Sequence, residues 1–189
     1  FAMEDYHILS MDNPTAETID HGVALHVKDV PWADKQMWAP DASEKDGTYY
    51  LFFPAKGHDG IFRIGVATSA SPTGPFKPQP EAIKKSFSID PAVFKDDDRS
   101  YYMYFGGIWG GQLQRWRTGA FKSEQAESPV AFLPEDHETA LCAKIVKLRD
   151  DLLEFAEAPK DIVITDEHGQ PLLQGAKDRR FFEASWMHK

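Results

Sequence analysis

Residues 87–107, Phe87-Ser88-Ile89-Asp90-Pro91-Ala92-Val93-Phe94-Lys95-Asp96-Asp97-Asp98-Arg99-Ser100-Tyr101-Tyr102-Met103-Tyr104-Phe105-Gly106-Gly107, decide the reading of the fold. Asp90 precedes a proline, which cannot donate a hydrogen bond and pushes its neighbour toward extended backbone, so a carboxylate is expected at the start of a strand. The run Asp96 to Asp98 with Arg99 and Ser100 breaks the apolar pattern and Tyr101 to Phe105 resumes it: strand, turn, strand. Upstream, Trp38-Ala39-Pro40-Asp41-Ala42-Ser43-Glu44-Lys45-Asp46-Gly47-Thr48-Tyr49-Tyr50-Leu51-Phe52-Phe53 repeats the grammar, with Asp46-Gly47 as a type I′ hairpin signal. Tyr49-Tyr50 and Tyr101-Tyr102 stand 52 residues apart, near the period of a propeller with four strands per blade. A third register opens at Phe182-Glu183-Ala184-Ser185-Trp186-Met187-His188-Lys189.

A second recurring unit supports the blades. Tyr6 to Met11, Ile64 to Ser69 and Lys144 to Leu148 are β-rich runs, each followed by a polar turn and then by a short partner, respectively Val23 to Val27, Glu81 to Lys84 and Asp161 to Thr165. Three outer hairpins imply three blades. Tyr49 to Phe53 and Tyr101 to Phe105 are apolar or aromatic on both faces, as strands sandwiched between neighbouring blades would be. Helix is scarce; Asp151 to Glu157 reads as a turn carrying a packed Phe155, ended by Pro159. The expectation is an all-β chain in which residues 1–37 end one blade, 38–88 form a second, 89–181 an enlarged third and 182–189 begin a fourth. Glu124 to Glu138 is expected as a surface loop.

With 189 residues, 42% hydrophobic and 13% aromatic, the chain can bury a core. A net charge of -9 without a basic cluster excludes a phosphate-tracking nucleic-acid binder. No apolar run is long enough to span a membrane. Cys142 is alone, so no intrachain disulfide framework exists. The seven histidines lack zinc-type spacing, and Asp96-Asp97-Asp98 lacks the glycine and terminal glutamate of a calcium loop, so no metal ligands are assigned.

Inner strands of a propeller line the central channel, so acids at their starts converge at one end of the axis. Asp90 and Glu183 are so placed, and glycoside hydrolysis needs two carboxyl groups across the scissile bond. Each also has a plain structural reading, Asp90 as a strand-start aspartate and Glu183 as an edge-strand surface residue. Asp41 reads more readily as a turn acid than as a ligand.

Trp38-Ala39-Pro40-Asp41, Ile64-Gly65-Val66-Ala67-Thr68-Ser69 with Ser71-Pro72-Thr73-Gly74-Pro75-Phe76, Ser88-Ile89-Asp90-Pro91 and the segment from Phe182 to Lys189 resemble glycoside hydrolase family 43. The resemblance spans essentially the whole chain. It implies a five-bladed β-propeller of which this chain supplies about the first three blades, and an inverting β-xylosidase or α-L-arabinofuranosidase acting on xylan-derived or arabinose-containing oligosaccharides. Glu183 would be the general acid and Asp90 the carboxylate that orients it and tunes its pKa. Trp38, and more weakly Trp109 in its Gly-rich loop, would contact sugar, though both also read as packing residues. The family's base is an aspartate on the first inner strand, expected upstream of Phe1, which would leave 1–189 alone inactive. The other class of function compatible with the residues is a non-catalytic carbohydrate-binding or scaffolding propeller. No cofactor is required, although the resemblance allows a structural calcium ion in the channel. An oligosaccharide is the expected ligand, and a second chain or copy is expected over the exposed blade faces. The compartment is open, with a secreted or periplasmic location favoured over a cytoplasmic one.

Overall fold

The computed structural model describes residues 3–124 and 128–189. Among these, helix is limited to three 3₁₀ turns, at Val27–Asp29, Trp109–Gly111 and Leu113–Trp116, and the remaining order is β-structure. None of the helices is long and apolar enough to cross a membrane.

Three antiparallel sheets follow one another along the chain. The first pairs β1 (Asp5–Ser10) with β2 (Ile19–His26). The second holds β3 (Ala33–Lys35), β4 (Asp41–Lys45), β5 (Thr48–Gly57), β6 (Phe62–Ser69) and β7 (Lys77–Pro78). The third is ordered β11-β10-β9-β8, with β8 Ala92–Lys95, β9 Tyr101–Phe105, β10 Ala143–Lys147 and β11 Lys160–Ile162. β4 and β5 are joined by the Asp46-Gly47 turn, where both residues have positive φ (52° and 78°), the backbone a type I′ hairpin demands.

Register departs from the sequence pattern at a few places. β3 lies within the 1–37 segment, yet its hydrogen bonds run to the far end of β5, with Ala33 opposite Gly57. The partner of β6 is Lys77–Pro78 rather than 81–84, because Pro78 and Pro80 lack N–H groups and cannot continue a ladder. Residues 81–84 run beside β6 without becoming a strand, touching it through the Ile83 N–H to Ile64 carbonyl bond. Val27 leaves β2 to start a 3₁₀ turn capped by His26, whose Nδ1 accepts the Lys28 N–H. The 151–157 segment is a turn, and its Phe155 is buried and stacked on Phe105. Residues 128–138 are turns without strands; the 125–127 part of the expected loop lies outside the described residues.

The core is double, and β5 divides it. Leu51, Phe53 and Ala55 pack with Tyr6, Leu25, Val27 and Met37, while Tyr50 and Phe52 face Ile64, Met103, Phe105, Val146 and Leu152. A strand alternates its side chains between two faces, so this apolar strand serves one core on each side. On the flanks apolar residues stay exposed: Leu9, Met11, Ile19 and Val23 at the first sheet, Val163, Ile164 and Leu173 beyond the third.

Candidate active site

β8 does not begin at Asp90. Asp90 has φ 57°, in the left-handed region, and the ladder starts at Ala92. The extended backbone expected before Pro91 is displaced by a longer-range demand: Asp90 Oδ2 accepts the backbone N–H of Ala184 at 3.0 Å. Aspartate is among the residues that tolerate this conformation. Ser88 is also left-handed, at φ 64°, and fully buried. Its Oγ accepts the Gly107 N–H at 2.9 Å and donates to the Gly111 carbonyl at 2.7 Å, sewing the Gly-rich loop onto 86–90.

That stitch requires the glycines. A Cβ on Gly107 would meet Ile89 at 2.7 Å and the Cβ of Glu183 at 3.3 Å; one on Gly111 would meet Ile89 at 2.7 Å. Glu183 therefore sits against Gly107, one residue before the N–H held by Asp90. The Ile108 N–H donates to the Phe182 carbonyl, fixing the other side of the same segment. Glu183 is exposed, in irregular backbone rather than a strand. Lys189 ends the segment on Asp96 and Asp97, at 2.6 and 2.7 Å, so the acidic run is partly neutralised by a lysine.

The two tryptophans join the same neighbourhood. Trp38 lies 4.7 Å from Phe62, ring centre to ring centre, and would touch a Cβ on Gly110 at 3.1 Å. Trp109 meets Phe182 edge-on at 4.9 Å and is 44% exposed, so its ring is open to a ligand. Its backbone is gripped by buried Gln114, whose Oε1 accepts the Trp109 N–H and whose Nε2 donates to the Trp109 carbonyl. Gln112 spans to the second sheet, accepting the Phe62 N–H and donating to the Gly60 carbonyl. Nothing in the spacing of these two glutamines marks them in sequence; their roles depend on loop geometry.

Asp41 stands at the start of β4, and its Oδ2 accepts the Val93 N–H at 2.6 Å. The concavity of about 560 Å³ lined by Trp116, His137, Cys142, Lys144 and Asp161 lies elsewhere, and none of Asp90, Glu183, Trp38 and Trp109 lines it.

Burial pushes the Asp90 carboxyl up to about 6; the Ala184 N–H opposes this and the charge of Glu183 adds to it. Asp90 therefore keeps its proton into the mildly acidic range. The expected roles had the proton on Glu183 and the charge on Asp90. In this chain Asp90 is the desolvated member and Glu183 faces water. No group of three or more His, Cys, Asp or Glu among the described residues is placed to hold a metal ion.

A profile of the glycosyl hydrolases family 43 matches residues 19–140. The chain belongs to this family. Family 43 relatives include a xylosidase/arabinosidase 43A of Humicola insolens, 54% identical over all of this chain and 59% of its own length. A xylosidase/arabinosidase of Bacteroides ovatus is 53% identical, again over the whole chain and 57% of the relative. Among solved structures, a family 43 β-xylosidase/α-arabinofuranosidase from a compost microbial metagenome, in a calcium-free complex with xylotriose, superposes with a TM-score of 0.94 at 59% identity, covering all of this chain and 57% of that one. The chain thus spans somewhat under three fifths of the length of these relatives. Its three sheets are part of the five-bladed family 43 β-propeller.

Proposed function

We propose that the whole protein is an inverting glycosidase of the β-xylosidase/α-L-arabinofuranosidase kind, acting on xylan-derived or arabinose-containing oligosaccharides, with Glu183 as general acid and Asp90 as the carboxylate that holds and tunes it. The observation that supports this reading is the bond from the Ala184 N–H to Asp90, which ties the residue after Glu183 to a second carboxylate, with Trp109 against the neighbouring Phe182. The family relatives named xylosidase/arabinosidase, and family structures binding xylotriose or xylose, favour these sugars.

In this scheme the acid protonates the leaving oxygen while a base on the opposite face activates water. Asp90, clamped by backbone, keeps the peptide after Glu183 fixed, so the acid approaches from one direction. Once ionised, Asp90 holds the Ala184 N–H by a charge-assisted bond, the stronger kind. The flat rings of Trp109 and Trp38 offer apolar faces to sugar C–H groups. The base is assigned to a residue outside 1–189. A structural calcium ion is compatible with this reading, since one family structure is described as a calcium-free form. A secreted or periplasmic setting suits such substrates.

Proton NMR of the first-formed sugar during hydrolysis of nitrophenyl β-D-xyloside and α-L-arabinofuranoside by the whole protein tests this. Release of the inverted anomer, lost in Glu183→Gln for xylobiose, is the expected result. A retained anomer, or sugar binding without hydrolysis, would replace the reading with a retaining enzyme or a binding propeller.

A further inference from the structure

We propose that Asp41 is a positioning residue of this site, fastening β8 to β4 and so setting where Asp90 stands. The proposal rests on the functional reading above only for its kinetic arm.

β4 and β8 are edges of different sheets, with no backbone ladder between them. A direct tie between these edges is the Asp41 carboxylate, whose Oδ2 takes the Val93 N–H at 2.6 Å across 52 residues of sequence. Backbone N–H to ionised carboxylate bonds are the short, strong kind, roughly twice as strong as neutral ones. Val93 follows Asp90 after only Pro91 and Ala92, and the proline ring restricts the backbone between them. A shift of the Val93 amide therefore moves Asp90.

The same device recurs one inner segment further on, where Asp90 takes the Ala184 N–H. Asp41 holds β8, β8 carries Asp90, and Asp90 holds the peptide beside Glu183. The left-handed φ of Asp90 makes this more than adhesion between blades, since a strained conformation persists only where its surroundings over-determine it. Asp41 supplies one of those restraints from a blade that contributes neither acid.

The test uses the whole protein, with carbon-13 carboxyl titration of Asp90 alongside kcat and KM on a nitrophenyl glycoside, in wild type, Asp41→Ala, Asp41→Asn and Asp41→Glu. Glu183 is the charged group whose field reaches Asp90, and it is unchanged in every variant. In Asp41→Ala the Asp90 midpoint falls from about 6 toward the ordinary 3.8 as the start of β8 loosens and water reaches the carboxyl. kcat falls about 10- to 100-fold with KM changed less than about 3-fold, the pattern of a displaced reacting group. Asp41→Asn keeps an acceptor oxygen and restores most of both readouts. Should Asp41→Ala not fold, Asp41→Glu decides: its extra methylene keeps the charge but misplaces the oxygen, and it moves the midpoint in the same direction. An Asp90 midpoint that stays put in the folded variants overturns the proposal, as does a kcat loss matched by loss of folded protein and not rescued by Asn. Absence of glycosidase activity in wild type would sink the functional reading alone, because the titration requires no substrate.

Discussion

Asp90 Oδ2 and the backbone N–H of Ala184 meet at 3.0 Å although 94 residues separate them in the chain. Through this bond the position of Glu183 depends on the ionisable side chain of a residue distant in the chain, and the two acids have to be perturbed together to be understood.

Their roles separate by leaving group. Glu183→Gln removes the proton donor, so hydrolysis of xylobiose should fall by the roughly 10²- to 10⁴-fold typical of general acid catalysis, while activated nitrophenyl xylosides suffer less. Asp90→Asn should slow both substrates alike, since it weakens the acceptor that holds the Ala184 N–H and leaves the proton donor in place. The measurement is kcat/KM against pH; equal losses on both substrates for Glu183→Gln would contradict the acid assignment.

Folding stability should carry the signature of Asp90. Its pKa is raised from 3.8 to about 6, so the folded state binds more protons than the unfolded state between those values. Stability then falls as pH rises from about 4 to about 6, and the loss is complete above that window. Asp90→Asn cannot ionise and should lack this decline in urea titrations run from pH 4 to pH 7. A decline of equal size in the variant would assign it to other groups.

Gly107→Ala should cost about 1–3 kcal/mol, the usual range for overpacking, because the new methyl would lie 2.7 Å from Ile89. The same methyl crowds the Cβ of Glu183 at 3.3 Å, so kcat should fall further than thermal unfolding alone explains. Unchanged kcat in the folded fraction would show that the loop yields without disturbing the acid.

Chain 1–189 expressed alone should self-associate, since Leu9, Met11, Ile19 and Val23 on one flank and Val163, Ile164 and Leu173 on the other are exposed. Sedimentation velocity over a concentration series measures it, and a monomer at every concentration would refute it.

Much of the fold is legible from local chemistry. Asp46-Gly47 specifies its turn, the runs at Tyr49 to Phe53 and Tyr101 to Phe105 become β5 and β9, and the outer hairpins of the first and third sheets fall within a few residues of their expected places. Where the text of the sequence misleads, the deciding partner is distant. Asp90 reads as extended because Pro91 follows, and only the Ala184 N–H explains its left-handed turn. β3 cannot be read as part of the second sheet, because its pairing depends on how far β5 extends past β4. The candidate site was legible as residue types, Asp90, Glu183, Trp38 and Trp109. The grips that assemble it, Ser88, Gln112 and Gln114, were not, since a buried serine or glutamine carries no spacing signal and acquires its task from backbone groups brought near by the fold.

The alternation of β5 between two cores limits how this chain can tolerate changes of length. Inserting one residue inside β5 would send Leu51 and Phe53 to the side built for Tyr50 and Phe52, emptying one core of its fitted side chains while overfilling the other. Growth and shrinkage are thereby confined to segments that cross no core, such as the long connection between β9 and β10. Added pieces that reshape the rim of the site can accumulate there while the strand between the cores keeps a fixed count.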